Sequence, residues 1–385
     1  MDRNYLERLN PERLPSPCFV VDESLIEKNL GILNLVQQRT GAKILLALKG
    51  FAMFSLFPLI RPVLEGTCAS GLHEARLGRE EFGKQVHVFS PAYSESEMEE
   101  LVEVADHVIF NSFCQYRRFR PVISESKRDI QMGIRVNPEH SEGTVPIYDP
   151  CSVGSRLGVR LEQFEADSLD GITGLHFHTL CQQNADALDR TLQVVEQKFG
   201  KYIRQMNWLN IGGGHHITRG DYDIDLLCRS IDRVGHIYNV QVYLEPGEAV
   251  ALNAGILIAT VLDIVTADMP VAILDTSATC HMPDVLEMPY RPEIIGGEFP
   301  GQKKWTCRLA GKSCLAGDVI GEYSFDSPLK TGDRLAFLDM AIYSMVKTST
   351  FNGVNLPSIA RYRPESNQLT VVRQFGYEDY KTRLS

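Results

Sequence analysis

From about residue 43 to residue 245, short apolar runs rich in β-branched residues alternate with stretches whose apolar positions recur at helical spacing. That rhythm predicts a parallel α/β fold. Eight strand-like runs stand out, at 43–48, 63–69, 86–90, 107–111, 130–136, 172–178, 208–212 and 240–245. Eight parallel strands close a TIM-type (β/α)8 barrel, and an open doubly wound sheet is the alternative that the same rhythm allows. Between the runs, Met98, Leu101, Val102 and Ala105, and likewise Leu188, Leu192, Val195 and Phe199, return every three or four residues. Each set lays one apolar stripe on a helix outside the barrel.

Beyond about residue 249 the helical spacing fades. Runs at 256–265, 271–275, 308–310, 318–325, 334–339 and 369–375 are separated by turns and predict a second, mainly β, barrel-like domain. Pro11, Pro15 and Pro17 precede a strand-like segment at 18–21, which is expected to add to that β domain before a first barrel helix over 24–38. The expected organisation is a strand segment over 1–23, a barrel over 24–249 and a β domain over 250–385.

Composition narrows the class. A chain of 385 residues is long for one core, and its apolar and charged fractions are those of a soluble globular protein. Residues 1–13 are polar and do not read as a signal peptide, and the greasiest stretch, 249–265, is interrupted by Asn253, Gly255 and Asp263. A cytoplasmic enzyme is therefore expected. Nine cysteines without paired metal-ligand spacing suggest reduced thiols. A net charge of −10 argues against nucleic acid or an anionic membrane as partner and is compatible with a cationic substrate.

In a TIM barrel the reactive groups sit at the C-terminal ends of strands. That rule gathers Lys49 after the first run, Ser70 and Glu74 after the second, Arg135 and Asn137 at the fifth and His176 and His178 at the sixth. It adds Gly212, Gly213 and Gly214 after the seventh and Glu245 after the eighth. Lys49 ends a buried run and precedes Gly50, which suits a Schiff-base lysine, although strand-end lysines commonly reach to water. Three glycines let backbone N–H groups converge on a phosphate, or form an ordinary strand-to-helix turn. His176 and His178 share a strand face, as a metal pair, as a ring stacked on an aromatic cofactor, or as core histidines. Glu245 needs a cation: a protonated pyridine nitrogen, or an arginine. Together these groups fit pyridoxal 5′-phosphate, with no metal required.

The motif order A-L-K-G, H-F-H-T, G-G-G, E-P-G-E-A, K-S-C-L-A-G-D and A-I-Y-S resembles the alanine-racemase-fold (fold type III) decarboxylases of ornithine, arginine and diaminopimelate, over nearly the whole chain. Within that family E-P-G-E-A, the segment A-T-C-H-M-P-D and G-K-S-C-L-A-G-D are most similar to the carboxynorspermidine and carboxyspermidine decarboxylases. The resemblance implies Lys49 as the Schiff-base lysine, His178 as the ring-stacking histidine, Gly212–Gly214 as the phosphate loop and Glu245 as the partner of the ring nitrogen. It implies Tyr343 as a phosphate contact and Cys314, with Asp318 behind it, as a general acid lent by the neighbouring subunit of a homodimer with shared sites.

Departures from the family pattern shift the expected substrate. Glu248 stands where many relatives have arginine, Cys181 where they have serine, and Thr67 where aspartate is common. Glu248 and Asp284 are expected to receive amines of a cationic carboxylated polyamine, with Asp318 also near the substrate. Three rivals share parts of the pattern: a racemase, which would set arginine against the ring nitrogen; a diaminopimelate-type decarboxylase, which would carry a cation for the distal carboxylate; and a non-catalytic regulatory homologue.

Overall fold

The computed structural model describes residues 1–143 and 145–385. They form two compact units: Met1–Ile26 together with Ala251–Ser385, and Glu27–Val250. The first strand, β1 (Cys18–Asp22), belongs to the former unit.

Within Glu27–Val250, eight parallel strands follow: β2 (Lys43–Ala47), β3 (Gly66–Ala69), β4 (Gln85–Phe89), β5 (His107–Phe110), β6 (Gln131–Arg135), β7 (Ile172–His176), β8 (Trp208–Asn210) and β9 (Gln241–Leu244). β9 pairs with β2 through Lys43↔Tyr243 and Ile44↔Leu244, so the sheet closes into a barrel and the open-sheet alternative is excluded. Leu45, Ala47, Cys68, Ile109, Trp208 and Tyr243 cluster as one core within it. The Trp208 indole has room because its neighbours are glycines: a β-carbon on Gly174 would lie 2.0 Å from Trp208 Cδ2, and one on Gly133 2.4 Å from Cη2. The expected stripes are buried on the helices Glu95–Val104 and Ala185–Ile203, the former opened by a Ser94–Glu97 capping box.

The other unit is a mixed sheet. Its later strands are β10 (Gly255–Thr266), β11 (Pro270–Leu274), β12 (Trp305–Ala310), β13 (Val319–Phe325), β14 (Arg334–Leu338), β15 (Ser358–Arg363) and β16 (Gln368–Arg373). The strand order is β13-β12-β11-β10-β1-β15-β16, with β14 on β10. The first half of β10 pairs with β1 and β14 and the second half with β11, and the register of the β10–β11 pair shifts between Val261 and Asp263. Two apolar clusters, one around Leu257, Tyr323 and Phe337 and one around Val20, Ile258 and Tyr362, fill the faces.

Two elements escape the sequence pattern. β15 buries Ser358, Ala360 and Tyr362 and turns arginines outward, so its inner face carries little apolar signal. The helix Arg3–Leu9 is set by an Asp2 cap on the Tyr5 N–H and buries only Tyr5 and Leu9. Among the described residues no helix is long and apolar enough to cross a membrane.

Candidate active site

The ends of β2, β7, β8 and β9 gather most of the expected residues. After β2 a turn over 48–50 leaves Lys49 exposed between buried Leu48 and Gly50. A β-carbon on Gly50 would lie 2.9 Å from the Glu248 nitrogen and 3.0 Å from the Gly247 carbonyl carbon. Glycine at both positions lets the two turns meet backbone to backbone, which seats the lysine on a close-packed base.

Glu245 follows β9 and is buried. Asn210 Nδ2 donates to its Oε1 at 2.6 Å, and His176 Nε2 lies 3.2 Å from its Oε2. Burial pushes the carboxyl up, but His176, the Cys68 thiol and Lys49 together outweigh burial and hold it down at about 2. Burial also holds His176 below the ordinary histidine value, so its neutral ring presents Nε2–H to the carboxylate. Arg135, at the end of β6, donates to the His178 carbonyl oxygen at 2.9 Å and stacks over Phe89.

His178 Nδ1 accepts the Gly213 N–H at 3.0 Å, and burial, Lys49 and Arg135 keep the ring neutral. The two imidazoles of H-F-H are thus committed to different partners. Among the described residues no group of three or more His, Cys, Asp or Glu is placed to hold a metal ion.

The glycine loop is dictated first by packing. Gly212 and Gly214 have φ of +71° and +81°, and a β-carbon on Gly213 would lie 2.1 Å from the Glu245 carbonyl oxygen. Gly212 N–H is taken by Asn210 Oδ1 at 2.9 Å and Gly213 N–H by His178. The N–H groups of Gly214 and His215 find no acceptor among the described residues. Two adjacent free N–H groups in such a loop form an anion-binding nest.

Two barrel residues are held by neighbours within the barrel unit. Glu248, expected to face a substrate amine, is 8 % exposed, accepts from Gln182 Nε2 at 3.0 Å and lies 3.1 Å from His216 Nε2. Its carboxylate thus joins the two barrel loops that carry Gln182 and His216. Thr67 packs against Gly78, where a β-carbon would meet its Oγ1 at 2.2 Å. It therefore faces a surrounding helix.

The remaining residues belong to the sheet unit. Asp318, expected near the substrate, is 3 % exposed and accepts from Ser277 Oγ, the Ala278 and Thr279 N–H groups, and Ser313 N–H and Oγ. It is a staple that fixes the 311–318 loop to the helix Ala278–His281. On that loop Cys314 is exposed, and its N–H donates to Asn352 Oδ1 at 2.8 Å. Asp284 is paired with Lys347, which also reaches Glu287. Tyr343 is half-buried with φ of +47°, an unusual backbone for tyrosine and one that strained functional positions adopt.

Cys68, Asn210, Gln182 and Asn352 were not singled out from the sequence. For Cys68 and Asn210 a signal existed: each is one polar or thiol side chain inside a short buried strand, where it needs a partner. Gln182 and Asn352 lie in loops with no pattern to mark them.

These features recur in known proteins. The family model described as "Pyridoxal-dependent decarboxylase, C-terminal sheet domain" matches residues 18–341. A carboxyaminopropylagmatine decarboxylase of Synechocystis is 45 % identical over 383 residues, spanning 99 % of this chain and 98 % of that protein. A carboxynorspermidine/carboxyspermidine decarboxylase of Campylobacter jejuni is 42 % identical over 97 % of this chain and 99 % of its own. The crystal structure of carboxynorspermidine decarboxylase from Campylobacter jejuni, complexed with norspermidine, superposes with a TM-score of 0.89 at 41 % identity, covering 96 % of this chain and 100 % of that one. With a barrel end that offers a lysine, a pinned carboxylate and a free pair of amides, and with relatives matching from end to end, the chain belongs to the pyridoxal-dependent decarboxylases.

Proposed function

We propose that the protein decarboxylates carboxynorspermidine and carboxyspermidine to norspermidine and spermidine, with pyridoxal 5′-phosphate as cofactor. The observation that carries the chemistry is Glu245, a buried carboxylate held ionised by donors on both oxygens. The polyamine substrate is supported by the full-length relative from Campylobacter jejuni and the norspermidine-bound structure. The acidic balance of the chain suits a polycation.

The residues present fit the cofactor. Lys49 offers an exposed amine as covalent anchor, Glu245 an acceptor for the ring nitrogen, and the Gly214 and His215 amides donors for phosphate, with Gly212 and Gly213 shaping their loop. His178, its plane fixed by the Gly213 N–H, is the proposed ring-face contact, and Tyr343 a further phosphate contact. Bound there, pyridoxal phosphate supplies the electron sink that lets carbon dioxide leave. Cys314, on its exposed loop, is the proposed proton donor to the substrate carbon, serving the site of a second copy in a homodimer. Asp284 is the proposed contact for a substrate ammonium, a role supported by the way it and Glu287 already gather the Lys347 ammonium between them. We place the enzyme in the cytoplasm, in keeping with nine free cysteines.

A second reading is favoured by the 45 % identical Synechocystis relative: a substrate ending in a guanidino group, carboxyaminopropylagmatine. Product analysis with purified holoenzyme offered carboxynorspermidine, carboxyspermidine, carboxyaminopropylagmatine and diaminopimelate side by side separates these. Norspermidine or spermidine as the faster-formed product supports the proposal, preference for the guanidino compound selects the second reading, and turnover of diaminopimelate alone defeats both.

A further inference from the structure

Three side chains from three strands surround Glu245, and the proposed chemistry gives them no role beyond keeping that carboxylate ionised. They are Cys68 on β3, His176 ending β7 and Asn210 ending β8. We infer that they are positioning residues which decide where the proton shared by Glu245 and the cofactor's ring nitrogen resides. The inference rests on the cofactor reading above.

The orientation of each donor is fixed by something other than Glu245. Asn210 must turn its Oδ1 to the Gly212 N–H, 2.9 Å away, so its amide nitrogen is the end that faces the carboxylate. His176 lies nearly parallel to Phe89, with centroids 5.6 Å apart and planes at 21°. Its Nδ1 has no partner among the described residues, which leaves Nε2 as the nitrogen that carries the proton. The Cys68 thiol, in the barrel core, acts on the same carboxyl in the lowering direction. Asn210 serves one oxygen and His176 the other, and each carboxylate oxygen can accept a further bond. A ring N–H can therefore dock without displacing them.

Donors to a carboxylate stabilise its charged form and lower its basicity. A less basic Glu245 competes poorly for the ring proton, so the nitrogen stays protonated and the ring stays an effective sink. Removing a donor raises that basicity: the N–H bond breaks with its electron pair left on nitrogen, and an O–H bond forms on the carboxylate. The other charged groups acting on Glu245, Lys49 and Arg135, are unchanged by such substitutions.

The test is nitrogen NMR of holoenzyme loaded with pyridoxal phosphate isotopically labelled at the ring nitrogen, followed through a pH titration. His176→Phe and Cys68→Ala remove donors, while His176→Gln and Cys68→Ser restore an N–H or O–H in the same place. The expected result is a protonated ring nitrogen in the native protein and the two conservative variants, and a protonated-to-neutral ratio about tenfold lower, one pKa unit, in His176→Phe. If His176→Phe does not fold, Cys68→Ala decides by the same shift in smaller degree. Loaded donor-less variants that titrate like the native protein overturn the inference. Glu245→Gln separates the two levels: if it too leaves the ring nitrogen unchanged, the underlying placement of Glu245 against the ring fails, and if it alone alters the titration, only the role of the donors fails.

Discussion

The imidazoles of His87 and His107 stack face to face in the barrel, centroids 3.7 Å apart and planes 11° from parallel, against Tyr243 and Trp208. Burial pushes His87 far below the ordinary histidine value, with His107, His176 and Lys43 adding to it, and holds His107 down at about 4, with Asp106 favouring and Lys43 opposing its protonation. In the unfolded chain both titrate near 6.5, so the native state binds fewer protons than the unfolded one at lower pH. Stability is therefore full above about 6.5 and is lost as pH falls toward 4, by on the order of 3 kcal/mol for His107 alone. Denaturant unfolding of His87→Phe/His107→Leu at stepped pH should show a shallower acid limb. A variant with the native slope would remove the pair as its cause.

Gly213→Ala should disable cofactor uptake more than its size suggests. The added methyl would sit 2.1 Å from the Glu245 carbonyl oxygen, backbone against backbone, so the loop must shift. We expect a loss of about 1–3 kcal/mol of stability, the usual range for overpacking, together with weaker binding of pyridoxal phosphate. Thermal unfolding of the cofactor-free protein and a binding titration check the two halves separately; native affinity would mean that the loop yields freely.

Asp318→Ala strips the acceptor from five donors at once. Leaving buried donors unpaired costs about 1–3 kcal/mol each, with partial relief from water, so a loss of at least about 3 kcal/mol is expected by chemical denaturation. The Cys314 loop should loosen in step, seen as faster alkylation of that thiol. Unaltered stability would show that the staple is redundant.

Cys314→Ala should slow turnover by at least about a hundredfold, the scale of a lost general acid, while cofactor loading stays native. Stopped-flow turnover and product analysis are the readouts, since protonation at the wrong atom yields a different product. Turnover and product both unchanged would exclude the thiol from proton delivery.

The barrel was legible because two periodicities alternate cleanly: strands such as K-I-L-L-A are buried along their length, and helices such as Ala185–Ile203 carry a single stripe. The gathering of Lys49, His178 and Glu245 at strand ends follows from topology, which places every βα turn on one face. What spacing could not reveal is which polar atoms are already engaged. Glu248 and Asp318 read as open carboxylates in sequence, yet one is turned inward beside Gln182 and His216 and the other is saturated by Ser277 and Ser313. Thr67 differs from its expected neighbours only in which side of β3 it takes, and strand alternation would have settled that had Cys68 been recognised as the inward residue. β15 was hidden because two of the three side chains on its buried face are serine and alanine.

β1 leaves the ribosome early but lies between strands made much later: Cys18 pairs with Ile258 on one side and with Ser358 on the other. At a synthesis rate of about 5–20 residues per second, its first neighbour follows after roughly 10–50 s. During that interval the whole barrel sequence is produced and can assemble, while C-F-V-V-D waits with both edges bare. Apolar unpaired edges are where chains join the wrong partners. The protein's vulnerable moment thus falls in its nascent life, at a segment that holds none of the proposed site residues. Destabilising β15 or β16, the last strands to arrive, would prolong that exposure and lower the yield of native protein even where the finished enzyme is fully active.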